Sequence, residues 1–343
     1  MAFFYTATRP ADFMKWNSVT NLTEGLYAGT STNYLDPNYV THSMSNAGSY
    51  QDANIIHGAT VGDSLWIHHN VTCITTTITS FRNNIDGYIW DARDVSGNLV
   101  ARLDLIDNLF YLNVYGETSN SINVSDLDTF RSAPNGTTLI LDIRIDVDGL
   151  DTTATIWNNN TLLTSVSTPN VVPTVGKPTY TQFTLSDTNS DSRYSVSEII
   201  ISDEETRGMR LAEFPISTSG NYTDWTGNVT DLFDNEDATY VISDTPGEKI
   251  SGTIPAFLGA TVDYEVKAVS ISSRAWKSLD SSVTDLKHFI RIGAVDYELA
   301  ETHTTTTEEK RAYHSTSILN PATTTAWTFS DLVNLEAGIK IQS

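Results

Sequence analysis

Apolar and polar positions alternate with period two along much of the chain. In Leu65–Ile74 (LWIHHNVTCI), Leu65, Ile67, His69, Val71 and Cys73 share one face, and Trp66, His68, Asn70, Thr72 and Ile74 share the other. In Leu109–Tyr115 (LFYLNVY), Phe110, Leu112 and Val114 alternate with Tyr111, Asn113 and Tyr115. Alternation over such lengths predicts half-buried strands. Leu139–Val147 (LILDIRIDV) and Thr152–Trp157 read the same way. They flank Asp148-Gly149, a turn signal that predicts a hairpin. Further strands are predicted at Val196–Ile201, Val262–Val269, Phe289–Gly293 and Ile339–Gln342, with turns at Asp94–Asn98 and Pro134–Gly136. One short helix is predicted over Asp331–Glu336, capped by Ser330 and ended by Gly338.

Helical periodicity is otherwise missing, as are heptads and repeats of 20–50 residues. The stretch 205–225 breaks the pattern with the acidic Asp203–Glu205, then Ser217–Gly220 and Thr226–Asn228. Many short strands split by such a seam predict an all-β chain with very little helix: two β-sandwich, jelly-roll-like domains in series. The expected division is an N-terminal segment 1–50, a first sandwich 51–212 and a second 213–343. Trp16, Tyr27, Tyr34 and Tyr39 mix with turn residues in the N-terminal segment. It therefore reads equally as a docking arm or as a cap on the first core.

Composition sharpens the picture where it excludes partners. The 343 residues carry 42 acidic and 20 basic side chains, a formal charge of −22. Nucleic-acid binding gains its affinity from cations that neutralise phosphates, so neither a duplex nor an anionic membrane is an expected partner. Cys73 is the only cysteine, which excludes an intrachain disulfide and zinc sites built on cysteine pairs. Met1–Phe13 lacks the apolar run of a secretory signal, and no later stretch is long and apolar enough to span a bilayer. The chain is therefore expected to fold in a reducing cytoplasm.

Several segments resemble one family. Ser64–Val71 (SLWIHHNV), Val95–Leu103 (VSGNLVARL) and Ile145–Gly149 (IDVDG) lead to Ser197–Leu211 (SEIIISDEETRGMRL) and Tyr222–Gly227 (YTDWTG). Through them, residues 60–212 resemble the concanavalin-like, laminin-G-like domains of tailed-bacteriophage virion proteins. Residues 230–343 resemble the second β-sandwich that often follows, on Asp234–Ala238 (DNEDA), Asn320–Pro321 and Ala326–Leu332 (AWTFSDL). The resemblance implies a structural component of a virion, as a decoration, collar, tail or short-fibre protein assembled in the host cytoplasm. Its expected partners are other virion proteins and further copies of itself. It carries no functional residue to transfer. The alternative is a host-receptor adhesin that binds surface glycans through the first sandwich.

Catalytic chemistry finds little support in the pattern. Glycoside hydrolysis needs two carboxylates roughly 5–9 Å apart, and no Glu is followed two places on by Asp. Asp142 and Asp146 share a strand face with Arg144 between them, which reads as a solvated face with cross-strand salt links. No G-x-S-x-G elbow is present, and Cys73 reads as a buried thiol. No enzyme activity, no cofactor and no metal is therefore expected. His68 and His69 point to opposite faces, and His69 and Cys73, four residues apart on a strand, are separated by about 13 Å. Asp187, Asn189, Asp191 and Glu198 approach a calcium-loop spacing, but Ser192 stands where the turn needs glycine. The candidate ligand-binding set is a glycan platform of Tyr111, Asn113, Tyr115 and Trp157. Aromatic rings there could stack on a sugar beside a hydrogen-bonding amide.

Overall fold

The computed structural model describes residues 4–7, 15–16, 22–26, 38–42, 52–56, 62, 64–73, 87–106, 109–132, 137–184, 194–211, 214, 216, 218–232, 239–254, 265–307, 311–333 and 335–342. The chain is all-β and divides into two compact units, 1–212 and 213–343. Among the described residues the only helical elements are 3-10 turns, at Ser125–Ser132, Val229–Leu232 and Phe329–Leu332.

The first unit begins with β1 (Phe4–Ala7), β2 (Lys15–Trp16), β3 (Leu22–Leu26), β4 (Asn38–His42) and β5 (Asp52–Ile56). Then come β6 (Ser64–Cys73), β7 (Gly87–Arg93), β8 (Leu99–Ile106), β9 (Leu109–Tyr115) and β10 (Ser119–Asn123). It closes with β11 (Thr138–Val147), β12 (Asp151–Asn158), β13 (Thr161–Pro169), β14 (Tyr180–Thr184) and β15 (Tyr194–Ser202). These strands form two antiparallel sheets. One has eight strands in the order β13-β12-β11-β6-β15-β4-β3, with β1 also on β15; the other has seven, β10-β9-β8-β7-β14-β5-β2. Residues 1–50 supply β1, β2, β3 and β4, whose pairing builds them into both sheets. Trp16 lies in β2 and Tyr39 in β4, whereas Tyr27 and Tyr34 lie outside the described residues.

Period two explains why the sheets stack. Leu65, Ile67, Leu141, Ile143 and Ile145 from the eight-stranded sheet share one core with Trp90, Leu103, Phe110, Leu112 and Phe183 from the seven-stranded sheet. Burying each such side chain contributes about 1.5–3 kcal/mol. The hairpin at Asp148-Gly149 forms because Gly149 takes φ +86° and the Asp148 carboxylate accepts the amides of Leu150 and Asp151 at 2.9 Å. Asn159 and Asn160, both at positive φ, close the next hairpin. One departure matters later. β6 was expected to be half-buried, yet Trp66, His68 and Asn70 on its outer face are as buried as its core face.

The second unit holds β16 (Thr218–Thr223), β17 (Lys249–Thr253), β18 (Val269–Ala275), β19 (Asp285–Ile292) and β20 (Val295–Glu298). It continues with β21 (His303–Thr304), β22 (Arg311–Ser317), β23 (Leu319–Asn320), β24 (Thr325–Ala326) and β25 (Glu336–Ile341). A six-stranded sheet, β16-β17-β25-β19-β20 with β21 on β19, accompanies a ribbon of β18 and β22 and a short β23–β24 pair. Ile290 of the sheet packs with Val269 and Ile271 of the ribbon and with Trp327, Leu332 and Leu335.

Two expectations for this unit are corrected. The strand predicted at Val262–Val269 begins only at Val269; Val266 makes a single bridge to Trp327, and 261–264 lie outside the described residues. The predicted helix Asp331–Glu336 is instead a 3-10 turn at Phe329–Leu332, with Thr328 rather than Ser330 at its start. The Asp331 carboxylate accepts the Thr328 amide and hydroxyl at 2.8 Å, and Glu336 already belongs to β25, paired with both neighbours.

Candidate functional site

Strand register places two rows of polar side chains on the outer face of the seven-stranded sheet. Gln182, Asp91, Arg102, Asn113 and Ser121 stand directly opposite one another across β14, β7, β8, β9 and β10. Beside them, Tyr88, Asp104, Tyr111 and Asn123 form a second row. Tyr115 and Tyr180 border the rows, paired with Ser119 and Arg93. Core residues Phe110, Leu112 and Val114 alternate with Tyr111, Asn113 and Tyr115, so the pattern that fills the core also projects these three outward.

Fixed polar pairs tie this face together. The Arg93 guanidinium donates to both Asp91 carboxylate oxygens, through Nε at 3.1 and 3.2 Å and Nη2 at 2.7 Å. Arg102 Nη2 and Asn113 Nδ2 each donate to Asp104 Oδ2 at 2.9 Å, and Asn113 Nδ2 also reaches the Tyr111 carbonyl at 3.1 Å. Arg102 lies over the Tyr88 ring, 5.4 Å from its centroid. The Tyr180 hydroxyl donates to Gln182 Oε1 at 3.2 Å.

The electrostatics follow from this packing. The Asp91 carboxylate raises the Arg93 pKa. Burial opposes the charge of Arg102, but Asp104 outweighs it, and the net direction is upward. Burial raises Asp104 despite Arg102 and Asn113, and burial likewise raises Tyr115. The turn at one end of β7 is pinned as well. The Asp94 carboxylate accepts the amides of Ser96, Asn98 and Gly176 at 2.9 Å, which holds it below the usual range although burial opposes this.

Trp157 does not join this group. It lies on β12 in the eight-stranded sheet, stacked on Trp66 with centroids 5.3 Å apart, and Arg207 lies 5.0 Å over its ring. The part of that sheet's outer face around Trp66, His68, Asp142 and Trp157 is covered by the segment after β15. Thr206 Oγ1 donates to Asp142 Oδ1 at 2.9 Å, and Arg210 Nη1 lies 3.5 Å from Glu198 Oε2. Beneath it, His68 Nδ1 is 2.9 Å from Asp142 Oδ1 and Nε2 is 3.9 Å from Glu198 Oε2, with all three side chains buried. Burial alone would lower the His68 pKa; the two carboxylates reverse it and raise it. On the core side His69 meets Phe183 edge-on at 5.4 Å, and burial with the His68 charge pushes its pKa down to about 3.

Asp142 is therefore no member of a solvated face. Arg144 and Asp146, paired at 2.9 Å, are the charged pair of that face that stays partly exposed. Of the calcium-loop candidates, Asp187, Asn189 and Asp191 lie outside the described residues, as does the Cys73 side chain. Glu198 is buried at a bulge in β15 with φ +51°. Sequence reasoning missed Tyr88, Asp91, Arg93, Arg102, Asp104, Tyr180 and Gln182. The signal present was the i, i+2 spacing of Asp91 with Arg93 and of Arg102 with Asp104. What joins them is cross-strand register, which no single strand encodes.

No family model matches the chain, and no curated protein matches it. Solved structures similar to it include two toxin binding domains and a phage-protein module. The binding domain of Paraclostridial Mosquitocidal Protein 1 is 12% identical, with a TM-score of 0.39 over 80% of this chain and 69% of that one. The botulinum neurotoxin serotype D ligand binding domain, solved with N-acetylneuraminic acid, is 10% identical, with a TM-score of 0.38 over 95% and 92%. The CBM2 module of the evolved Dit of Lactobacillus casei BL23 phage J-1 is 12% identical, with a TM-score of 0.36 over 58% and 94%. None of these likenesses bears on function.

Proposed function

We propose that the chain is a non-catalytic component of a tailed-phage particle whose first sandwich presents a carbohydrate-binding face. The observation that carries the carbohydrate part is the outer face of the seven-stranded sheet. There Tyr111, Asn113 and Tyr115 stand on one strand beside Tyr88, Arg102 and Asp104 on the next two. The apolar face of a pyranose ring packs on tyrosine, while the amide of Asn113 and the guanidinium groups held by buried carboxylates meet its hydroxyls. Side chains held on paired strands and locked by their own hydrogen bonds lose little freedom when a ligand arrives. The non-catalytic part agrees with the burial of Asp142 and Glu198 under Thr206 and Arg210, away from this face.

The particle part rests on the resemblance carried by Ser197–Leu211 and its companion motifs. A purely structural role, through assembly with other virion proteins or further copies of this chain, is the second reading. The apolar side chains of Leu150, Val171 and Val172 favour it. All are more than half exposed, at turns joined by the bond from the Asn170 amide to the Leu150 carbonyl.

Two measurements test the reading together. Gradient-purified particles should contain the protein in fixed stoichiometry by mass spectrometry, and the purified chain should retain at least one glycan on an array. Particles that repeatedly lack its peptides would remove the virion part. Silence across the array would remove the sugar-binding part.

A further inference from the structure

We infer that the ligand of this face is an uncharged, extended oligosaccharide lying across the strands, and this rests on the sugar-binding reading above. Charge comes first. Across the two rows and their border, from β14 to β10, the cations are Arg93 and Arg102 and the anions Asp91 and Asp104. This stretch of the face is therefore balanced within a chain of formal charge −22, and Lys15 enters the same row only two strands further on. Each guanidinium is already committed, Arg93 to both oxygens of Asp91 and Arg102 to Asp104. A uronate or sulfate arriving here meets no unpaired cation among the described residues of the face. The two carboxylates lie almost fully buried beneath their guanidiniums, which are 32% exposed for Arg93 and 30% for Arg102. An arriving anion therefore gives up its hydration without an unpaired cation to compensate it.

Shape gives the second half. Gln182, Asp91, Arg102, Asn113 and Ser121 occupy five adjacent strands, one residue per strand. Neighbouring strands lie about 4.8 Å apart, so the row runs roughly 19 Å. That strand spacing is close to the repeat of one hexose along an extended chain. A chain laid along the row therefore passes one sugar over each strand and meets the accessible Arg102, Asn113 and Ser121, with Tyr88 and Tyr111 of the parallel row alongside, while Asp91 and Gln182 lie buried beneath it. A single sugar would meet only one or two of these positions.

Calorimetric titration of the full chain tests this. The probes are oligosaccharides of uncharged hexoses, one to six units long, and uronic-acid and sulfated chains of matched length. Affinity should rise at least tenfold from one unit to four and then level off. Charged chains should bind at least tenfold more weakly than uncharged ones of equal length. Tighter binding of a charged chain, abolished by Tyr111→Ala, would overturn the charge argument while leaving the sugar-binding face in place. A monosaccharide bound as tightly as a tetrasaccharide would overturn the shape argument in the same way. Absence of binding by every probe would overturn both this inference and the reading beneath it.

Discussion

The two outer faces of the first sandwich start from the same alternating pattern and treat their aromatic side chains differently. On the seven-stranded sheet, Tyr111, Asn113 and Tyr115 remain half-exposed over a lattice of Asp–Arg pairs. On the eight-stranded sheet, Trp66, His68, Asp142 and Trp157 are buried beneath Thr206, Arg207 and Arg210. The difference comes from the segment after β15. Residues 203–211 fold back over one sheet and turn its polar side chains into a second, charged layer of packing. A face of that kind holds the fold together; the other leaves its tyrosines half-exposed. A polar strand face is thus no guide to exposure until its neighbours in space are known.

Breaking the covered face should have the largest effect. Asp142→Ala leaves a charged His68 buried with one fewer carboxylate, and removing one partner of a buried pair costs about 3–5 kcal/mol. Urea unfolding of the first unit should show that loss, whereas Asn113→Ala on the open face should lose only about 1 kcal/mol. Comparable losses from the two substitutions would erase the distinction. Thr206→Val comes next. It removes a hydroxyl bond to a carboxylate, a contribution of about 1.5–3 kcal/mol. It should also speed tryptic cleavage at Arg207 and Arg210 relative to the rest of the unit; unchanged cleavage would mean that Thr206 does not fasten the cover.

A smaller effect separates the two units by pH. His68 is raised in the folded state, so its contribution is complete below the unfolded value near 6.5 and is lost as pH climbs through the folded value. In the second unit the sign is reversed. His288 is fully buried, bonded to Ser273 at 2.7 Å and Ser315 at 2.8 Å, and burial holds its pKa well below 6.5. His303, 2.7 Å from the same Ser315, is lowered to about 4, burial again leading. These two stabilise their unit fully above pH 6.5 and progressively less as pH falls toward 4. Thermal melts should show the first unit weakening on the alkaline side through His68 and, because His69 is lowered to about 3, on the acid side too, whereas these histidines weaken the second unit on the acid side only. His68→Asn should remove the alkaline-side loss of the first unit and His303→Gln should reduce the acid-side loss of the second, and a first unit with no alkaline-side loss would contradict the assignment.

Much of the fold could be read from the chain. Strands such as β9 and β11, and the turn at Asp148-Gly149, follow from alternation and turn chemistry that lie within a few residues. The failures were longer-range. Val262–Val269 alternates plausibly, but pairing with β22 selects the serine-rich Val269–Ala275 instead. Asp331–Glu336 has helical spacing, but the closing strand claims Glu336. For the site, the outward direction of Tyr111, Asn113 and Tyr115 was legible, because period two fixes it. Their partners on β7 and β8 were not, because register is set by pairing. Trp157 looked equivalent to the tyrosines in sequence, but it stands on the other sheet beneath the arginine-bearing segment.

The most direct test of the open-face account is calorimetric titration of one bound neutral oligosaccharide into three proteins: wild type, Tyr111→Ala and Trp157→Phe. Losing a stacking ring removes about 0.5–1.5 kcal/mol beyond its buried area, so Tyr111→Ala should weaken binding roughly tenfold or more. Trp157→Phe should bind as wild type does, since its ring belongs to the covered face. Unchanged binding by Tyr111→Ala together with a tenfold loss in Trp157→Phe would contradict the account and move the sugar site to the other sheet.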